Sequence, residues 1–504
     1  MKRCVIIGSG LGGLSTGVIL AREGYDVTIL EQESQIGGCL QCFTRRGVKF
    51  ETGMHFIGSA KPGQTLNRLL RFLGIDDIAL GELDTNAYDI VRLGSDEFRF
   101  PTGEAAFVEQ MCNYFPQERQ AIEAYMECVQ RVANASSLHT LSLENADNAI
   151  STEYQLRSIN EVIERLVKDP ILRDVLVGNL PLYAAQRDKT PFSTHAFIVD
   201  FYNQSSFRVV GGSDAIGLAL QRKLEQYGGR VVTNAKVTKI LSDEHGVTGV
   251  STADERFFPA DTVVSAIHPV PTLAMTDSPL IRPAFRRRMT SLPNTIGIFS
   301  VYLDFKEGTM PYLNSNYYAY RAGVSPWDCE AYTPDDWPRG YLYMHFCHDT
   351  HPRFARAGVI LSYMRFEEMA PWLGTTVGHR GDDYERFKQQ RAERLIDAVE
   401  HSFPGLRNAI QHYYTSTPLT YLDYTGTPEG SAYGIAKDIS LGVSCHVPQR
   451  TKLPGLYLTG QNINSHGILG VLVGTVVTCS DLLGTAYLYQ QIITANQSSL
   501  ISHQ

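Results

Sequence analysis

The sequence predicts an α/β protein whose main domain is assembled from separate stretches of the chain. Three glycine-rich passages indicate this, at residues 8–13, 209–213 and 455–460, and each adjoins a short apolar strand and a helical stretch. Continuous apolar strands of this kind are typical of a buried parallel sheet. Because other material separates the passages, we expect a discontinuous domain of residues 1–60, 205–270 and 430–495, interleaved with a mixed α+β domain of residues 61–204 and 271–429.

The individual elements follow from the same patterns. A strand over residues 3–8 leads into a helix from Leu11 to Gly24, where a glycine ends the helix. His245-Gly246 favours a hairpin turn between two strands. Further helices are predicted at 65–74, 117–135, 155–176, Asp214–Tyr227 and from about Gly470 to Gln491, and further strands at Asp26–Leu30, Arg230–Thr233, Lys236–Leu241, Val247–Thr252, Asp261–Ala266 and 455–460.

Composition excludes several classes of protein. A net charge of −8 over 504 residues argues against a nucleic-acid partner. Nine cysteines, an odd number in a chain of this size, form no disulfide framework and favour free thiols in a reducing compartment. No window is long and apolar enough to span a membrane, and the apolar N-terminal run is a glycine motif rather than a signal peptide. We therefore expect a cytoplasmic protein, soluble or peripheral to a membrane.

The first glycine-rich passage fits the pattern G-x-G-x-x-G of a Rossmann-like nucleotide-binding turn. Such glycines permit a tight turn, let the backbone approach a pyrophosphate and allow close helix–strand packing, while the free N–H groups of the helix hold the phosphates. The second strand ends at Glu31, 23 residues after Gly8, where a carboxylate would bond the adenosine ribose. The predicted nucleotide-binding residues of this unit are Gly8, Ser9, Gly10, Leu11, Gly12, Gly13, Glu31 and the adjacent Gln32.

A second glycine pair favours FAD over a nicotinamide nucleotide. Gly37-Gly38 follows Glu31 at a short interval and lets the chain fold back over the pyrophosphate and ribityl, which a larger cofactor requires. Near the C-terminus, a strand that ends before Gly460 and Gln461 can place both beside the ribityl phosphate, with residues 467–469 at the pyrimidine edge of the flavin. We therefore predict FAD as the cofactor.

Over nearly its whole length the chain resembles the FAD-dependent phytoene desaturase, carotenoid isomerase and retinol saturase family. The shared segments are the Gly8–Gly38 block, Val209-Val210-Gly211-Gly212-Ser213, Thr417-Pro418-Leu419-Thr420, Pro428-Glu429-Gly430-Ser431-Ala432-Tyr433-Gly434 and the Gly460–Gly474 block. Gly37-Gly38-Cys39 and Thr52-Gly53-Met54-His55 are more similar to the retinol saturase branch. The resemblance implies a Rossmann-like FAD-binding domain of the amine-oxidase type beside a substrate domain.

Carried over residue by residue, the resemblance places the phosphate at the first glycine turn and the ribose at Glu31. One departure concerns Gln461, because many FAD enzymes have an acid at that position, and here a neutral amide keeps the hydrogen-bonding capacity but changes the local charge. Near the ribityl and flavin the resemblance implies Gly37, Gly38, Leu40, Gly460, Gln461, Gly467, Ile468 and Leu469, and near the adenine Val237.

The family's substrates are long hydrophobic isoprenoids, which implies an apolar tunnel that ends at the flavin. Residues 296–346 are rich in aromatic side chains, although each is more often ordinary sheet core than tunnel wall. The alternation of Tyr341, Tyr343 and His345 fits a strand with one face toward a cavity. Saturation of a C=C bond also needs a proton donor, for which His55 is the best candidate and His466 and Tyr433 are weaker ones.

Two other features allow more than one interpretation. Cys39 and Cys42 are spaced like a redox or metal pair, but there is no second ligand pair, so we predict two buried thiols and no metal site. The cluster Arg286-Arg287-Arg288 and the basic amphipathic stretch 65–74 are either solvated faces or points of peripheral membrane contact.

The leading functional prediction is an FAD-dependent oxidoreductase that acts on C=C bonds of a polyene isoprenoid and saturates a retinoid- or carotenoid-like substrate, as an all-trans-retinol 13,14-reductase does. A desaturase or a cis–trans isomerase would use the same flavin, and an amine oxidase is a lower-ranked alternative. A lipid-binding escort of this architecture would have a degraded cofactor site, whereas here the glycines and Glu31 are intact. The electron donor or acceptor is not identified by the sequence.

Overall fold

A computed structural model describes residues 1–144, 146–350 and 352–501. Within these ranges the helices are α1 Leu11–Arg22, α2 Thr65–Leu73, α3 Glu104–Tyr114, α4 Arg119–Ala135, α5 Ser137–Thr140, α6 Asn148–Gln155, α7 Ile159–Leu166, α8 Pro170–Leu176, α9 Phe192–Gln204, α10 Asp214–Gln226, α11 Pro269–Ala274, α12 Pro283–Thr290, α13 Asp382–Ser402, α14 Leu406–Ala409, α15 Pro418–Thr425, α16 Gly467–Leu483 and α17 Thr485–Ile501.

The strands of the described ranges are β1 Arg3–Ile7, β2 Asp26–Leu30, β3 Cys42–Arg45, β4 Val48–Glu51, β5 Ile57–Gly58, β6 Leu80–Glu82, β7 Asp89–Leu93, β8 Asp96–Phe100, β9 Ser206–Val209, β10 Arg230–Val232, β11 Val237–Ser242, β12 Val247–Thr252, β13 Phe257–Pro259, β14 Thr262–Ser265, β15 Gly297–Phe305, β16 Asn316–Tyr320, β17 Gly340–His345, β18 Ala357–Met364, β19 Ile410–Ser416 and β20 Leu456–Leu458.

A five-stranded parallel sheet in the order β10-β2-β1-β14-β20 gathers strands from the start, middle and end of the chain. Its central strands are buried on both faces, which explains their continuous apolar sequences. Helix α1 connects β1 to β2 and contacts both α10 and α16. The carboxyl ends of all five strands share one edge, so the loops after β1, β2, β14 and β20 meet there, where ligands of open α/β sheets bind.

A seven-stranded mixed sheet in the order β19-β15-β18-β17-β16-β7-β8 forms the second layer. Only β7 and β16 pair in parallel, and β7 and β8 come from a part of the chain more than 190 residues before β15. One face of the sheet packs on α13 through side chains such as Tyr343 and Leu395. The opposite face belongs to the large core shared with the helical segment and the parallel sheet.

Two predicted helices are wrong in extent. The predicted helix 155–176 is two helices, α7 and α8, because Pro170 cannot donate the hydrogen bond that a continuing helix needs and Asp169 caps the second helix by accepting from the N–H groups of Ile171 and Leu172. The predicted terminal helix from Gly470 to Gln491 begins at Gly467 and is divided at Gly484, whose φ of +97° leaves the helical region.

The hairpin predicted at His245-Gly246 is confirmed, since β11 and β12 pair antiparallel on either side of it. No helix within the described ranges has the length and apolar content needed to cross a membrane. The division of the chain into two domains at residues 60, 204, 270 and 429 stays a prediction.

A fully buried polar cluster joins β9, which lies in a three-stranded sheet in the order β5-β9-β6, to the seven-stranded sheet. The Arg208 guanidinium on β9 donates to the carbonyl of His55 at 3.2 Å and to Oδ1 of Asn316 at 3.0 Å. The Asp89 carboxylate on β7 accepts from Nδ2 of Asn316 at 2.8 Å and of Asn179 at 3.2 Å. Burial raises the pKa of Asp89 to about 7, because a charged carboxylate is disfavoured away from water.

We predict that this carboxyl group makes folding stability depend on pH. Its pKa is raised in the folded protein, so the folded state binds an extra proton between about pH 4 and about pH 7, and its contribution to stability is lost as the pH rises through about 7. The free energy of unfolding of Asp89→Asn relative to the wild type should therefore rise across this range, by at most about 1.4 kcal/mol per pH unit. Denaturant unfolding of both proteins at pH 4.5 to 8 checks this, and parallel curves would contradict it.

Candidate active site

One cavity of about 540 Å³ runs from the carboxyl edge of the parallel sheet to the inner face of the seven-stranded sheet. This volume lies within the range of roughly 300–1,000 Å³ usual for small-molecule sites. Its wall includes most of the predicted cofactor residues, namely Gly8, Gly10, Leu11, Gly12, Glu31, Gln32, Gly37, Gly38, Leu40, Val237, Gly460, Gln461, Gly467, Ile468 and Leu469.

The first glycine turn is built from close backbone contacts. A Cβ at Gly13 would lie 2.0 Å from the carbonyl oxygen of Gly8, so only glycine lets the helix start this near the strand end. A Cβ at Gly12 would lie 2.8 Å from the Cα of Gly460, which holds the C-terminal loop against α1. A Cβ at Gly10, by contrast, would meet no described atom within 4 Å and would project into open space beside the cavity.

The N-terminus of α1 opens onto this cavity. Gly10 is its N-cap residue, and among the described residues no side chain caps it by a hydrogen bond. The N–H groups of the first turn therefore face the cavity edge with the positive end of the helix dipole behind them, which suits an anionic phosphate.

Glu31 is held in a fixed position at the end of β2. Its Oε2 accepts from the Ser9 amide at 2.9 Å and from Ser9 Oγ at 2.6 Å, and Oε1 accepts from the Glu33 amide at 3.0 Å. Each carboxylate oxygen has two lone pairs, so Oε1 keeps one site for a ribose hydroxyl. Ser9 and Gly13 do not border the cavity, and the structure places them behind the predicted contacts as supports.

The second glycine pair folds back over the first turn. The Gly37 amide donates to the Ser9 carbonyl at 3.0 Å, and Gly37 has a φ of +112°, a conformation that favours glycine. A Cβ at Gly38 would lie 3.2 Å from the Cα of Gly10. The carbonyl of the next buried residue, Leu40, accepts from Ser213 Oγ at 3.0 Å, which joins the passage 209–213 to this loop.

The arrangement fits FAD. The same cavity is bordered by Val237 and Gln32, by the glycine turn with the start of α1, and by Gln461 with the first turn of α16. Sequence analysis missed Lys437, which donates to the carbonyl of Asn462 at 3.2 Å and whose pKa burial lowers to about 8. Lys437 does not border the cavity itself but contacts Asn462, which does, and no motif marks it because this contact forms only in the folded chain.

His55, the leading candidate for the proton donor, borders the cavity and is buried. Its Nδ1 lies 3.3 Å from Oε2 of Glu51, also buried, and its ring stacks on Phe346 with centroids 5.7 Å apart. The carboxylate fixes the ring orientation and leaves Nε2 as the other polar atom of the imidazole. This is the kind of positioned histidine that proton transfer requires.

The two weaker acid candidates also border the cavity, with their rings 4.8 Å apart. Burial lowers the pKa of His466 to about 3, so its ring is neutral at physiological pH. The Tyr433 hydroxyl donates to the carbonyl of Pro181 at 3.1 Å, and burial raises the pKa of Tyr433. A neutral His466 ring and a protonated Tyr433 hydroxyl suit hydrogen bonding and packing in the cavity wall.

The two cysteines of the spaced pair are free thiols. Cys39 borders the cavity, whereas Cys42 is buried and lies 3.4 Å from Ser213 Oγ. Burial raises the pKa of both thiols, that of Cys42 to about 11. Among the described residues no His, Cys, Asp and Glu side chains are grouped as metal ligands.

Strand β17 does have one face toward the cavity, but Tyr343 and His345 are not on that face. Leu342 and Met344 border the cavity, whereas Tyr343 and His345 are buried on the opposite face, where their polar atoms bond to each other. Side chains alternate along a strand, so a pattern alone fixes which residues share a face but not which face is the wall. Tyr341 also borders the cavity, and its hydroxyl lies 2.9 Å from Ser402 Oγ.

A further part of the wall is apolar and was missed by sequence analysis. It forms a chamber between the seven-stranded sheet and α9, and its side chains carry no motif because they come from unrelated segments. They are Met54, Phe56, Leu182, Phe197, Ile198, Phe201, Ile298, Leu361 and Tyr363.

The pocket combines the glycine turn, the carboxylate at the predicted ribose position and the second glycine loop that folds back over the turn. The sequence that forms it matches one protein family over most of the chain. The family model described as "Flavin containing amine oxidoreductase" matches residues 11–474 of this chain. The chain belongs to this family. It is a flavin-dependent oxidoreductase with FAD as its cofactor, in an α/β Rossmann-like fold.

Relatives and solved structures agree with this family assignment. The chain is 28% identical to the all-trans-retinol 13,14-reductase of Rattus norvegicus, over 95% of this chain and 85% of that protein. It is 24% identical to prolycopene isomerase 1 of an Oncidium hybrid cultivar, over 94% of this chain and 82% of that protein. Two solved structures share the fold. An oxidoreductase from Methanosarcina mazei aligns with a TM-score of 0.63 and 16% identity, over 95% of this chain and 100% of that protein. A putrescine oxidase aligns with a TM-score of 0.61 and 14% identity, over 98% of this chain and 99% of that protein.

A pair of glycine variants tests where the cofactor lies in this flavin-containing oxidoreductase. In Gly10→Ala the new methyl group meets no described atom, so the folded protein should keep its thermal stability but lose most of its bound flavin. In Gly12→Ala the clash with Gly460 should lower both the thermal stability and the amount of bound flavin. Flavin absorbance per protein and thermal unfolding of the flavin-free proteins give the two readouts. Full flavin content in Gly10→Ala would show that the cofactor does not pass over Gly10.

Proposed function

We propose that this flavin-dependent oxidoreductase saturates a C=C bond of a hydrophobic polyene, retinoid- or carotenoid-like in structure. The observation that carries the proposal is the apolar chamber, which is continuous with the cleft of the glycine turn in one cavity. A long apolar substrate can occupy the chamber with one end at the flavin. The likeness to retinol reductases and prolycopene isomerases over most of the chain supports the same substrate class.

The proposal assigns the cofactor to residues 1–60, 205–270 and 430–495 and the substrate to residues 61–204 and 271–429. The predicted cofactor residues that border the cavity would contact FAD, and Ser9 and Gly13 would support them. Bound reduced FAD supplies a hydride equivalent to a C=C bond. The chain's own part is to hold the polyene, to exclude water and to deliver one proton to the second carbon.

His55 is the proposed proton donor. It borders the cavity, and Glu51 holds Nδ1, so the Nε2 proton of the charged ring is the one available to a substrate. The Glu51 carboxylate balances the charge of the protonated ring. Once the proton is delivered, Nε2 becomes an acceptor and takes up a proton from solvent before the next turnover.

An isomerase that uses the same flavin is the second candidate, because prolycopene isomerases match the chain over most of its length. A desaturase would run the leading reaction in reverse. An escort that only carries lipid does not need the ordered glycine turn and the fixed Glu31 carboxylate that this chain keeps.

We further infer a reducing, cytoplasmic setting, which nine free cysteines support. The proposed membrane contact does not use α2, because its apolar side chains are buried in the protein and Arg68 donates to the carbonyl of Thr140. Within the segment Arg286-Arg287-Arg288 the exposed Arg287 is the proposed point of contact. Both of its neighbours donate to backbone carbonyls of the protein itself. The electron donor is a separate protein or small reductant that the chain does not identify.

The reaction itself is tested by photoreducing the holoenzyme without oxygen in the presence of all-trans-retinol and reading the products by mass. The proposal expects a product heavier by two hydrogen atoms. A product of unchanged mass but altered double-bond geometry would favour the isomerase, and a loss of two hydrogen atoms after incubation of the oxidised enzyme would favour the desaturase. No product from retinol or from carotenoids would count against the whole substrate class.

His55→Asn tests the proton donor. Asparagine keeps an N–H near the position of Nδ1 for Glu51 and removes Nε2, so the flavin content should not change while the saturation rate falls by about 100-fold or more. The readouts are flavin absorbance, product formation and single-turnover reoxidation of the reduced flavin by substrate. An unchanged rate would assign the proton to another group, such as Tyr433 or His466.

A further inference from the structure

A second histidine–carboxylate pair, of which the histidine borders the same cavity, is not among the predicted cofactor residues. His139 on α5 is buried and part of the cavity wall, and its ring stacks on Phe197 with centroids 5.2 Å apart. Its Nε2 lies 2.6 Å from Oδ2 of Asp200, which is buried on α9. Nothing in the sequence marks this pair, because its members are 61 residues apart and belong to different helices.

The surroundings of Asp200 fix the hydrogen-bonding role of the histidine. The Asp200 carboxylate also accepts from Nε2 of Gln130 at 2.7 Å and from Nε2 of Gln204 at 2.7 Å. A carboxylate with only donors around it requires the His139 Nε2 to carry a proton, so in the neutral ring Nδ1 is an acceptor. Within the described residues no hydrogen bond reaches Nδ1, and it is the ring's remaining polar atom beside the cavity.

His139 packs on α9 about one turn away from the place where this helix contacts β5. Phe201 on α9 packs against β5, where a Cβ at Gly58 would lie 2.5 Å from the Phe201 carbonyl oxygen. Phe197 lies four residues earlier on α9, about 6 Å along the helix axis. His139 stacks on this earlier residue, and both border the cavity. The chamber thus carries a fixed polar acceptor in its wall beside apolar side chains of α9.

We propose that His139 binds the terminal hydroxyl group of a polyene alcohol, with Nδ1 accepting the hydroxyl proton and Asp200 holding the ring. The inference rests on the proposed function and narrows its substrate class, since a hydrocarbon polyene has no group to bond there. The hydroxyl stays at His139 while the polyene chain lies along the apolar side chains of the chamber. A site built to bond a hydroxyl rejects an analogue without it, because the buried acceptor is then left unpaired.

The test compares two ligands that differ in one group: all-trans-retinol and the hydrocarbon in which a methyl group replaces its hydroxymethyl group. Equilibrium binding to the oxidised holoenzyme, read by quenching of protein fluorescence, gives the ratio of the two dissociation constants without any turnover. The wild type should prefer the alcohol. In His139→Gln, whose amide keeps a donor for Asp200 but lacks the Nδ1 acceptor, the preference should fall about tenfold.

Two further variants make the result specific. His139→Asn puts an amide oxygen near the position of Nδ1 and should retain part of the preference that the glutamine variant loses. His195→Gln is the matched control, because His195 is a buried histidine on α9 whose two ring nitrogens lie 2.7 Å from the hydroxyls of Tyr125 and Tyr183, outside the cavity wall. Its loss should lower thermal stability and leave the ligand preference unchanged.

The outcomes separate the inference from the proposed function. A preference for the alcohol that is lost in His139→Gln supports the inference, whether or not retinol is turned over. Equal binding of the two ligands by the wild type, or an unchanged preference in His139→Gln with intact flavin absorbance, overturns it. The proposed function fails on its own if the photoreduced wild type leaves every polyene unaltered in mass and geometry.

Discussion

The site depends on one constraint, the direct backbone contact between loops that lie hundreds of residues apart in the chain. Gly12 and Gly460 are so close that a single methyl group on Gly12 would lie 2.8 Å from the Gly460 Cα. Gly38 makes a similar approach to Gly10. Through these contacts the start, the second loop and the end of the chain form one cleft at the carboxyl edge of the parallel sheet, where α1 directs its N–H groups at the phosphate position.

Buried charge connects this cleft to the second sheet. Arg208 donates to the His55 carbonyl and to Asn316, and Asn316 in turn donates to Asp89 on the seven-stranded sheet. A charged group such as the Arg208 guanidinium is costly to bury without hydrogen-bond partners. The network therefore favours one position of the segment that carries His55. His55, the proposed proton donor, is thereby held by Glu51 through its side chain and by Arg208 through its backbone.

The chamber shows how one sheet serves two environments. The face with Leu342 and Met344 lines the cavity, and the face with Tyr343 closes the core against α13. Opposite the sheet, α9 contributes Phe197 and Phe201 to the wall and, on the turn between them, Asp200. The histidines of two histidine–carboxylate pairs thus border the same cavity as these apolar side chains, and both proposed roles, proton donor and hydroxyl acceptor, depend on this placement.

The sequence by itself determined the nucleotide-binding unit, because strand, glycine turn, helix and Glu31 are local features whose spacing is set by backbone geometry. It also determined the second glycine pair and the C-terminal loop, and so the cofactor. It overestimated helices at Pro170 and Gly484, where a missing N–H group and a positive φ end the helix. Only the tertiary structure decided which face of β17 meets the cavity and that His139 meets Asp200, because strand alternation does not identify the buried side and a contact between distant helices leaves no periodic trace in the sequence.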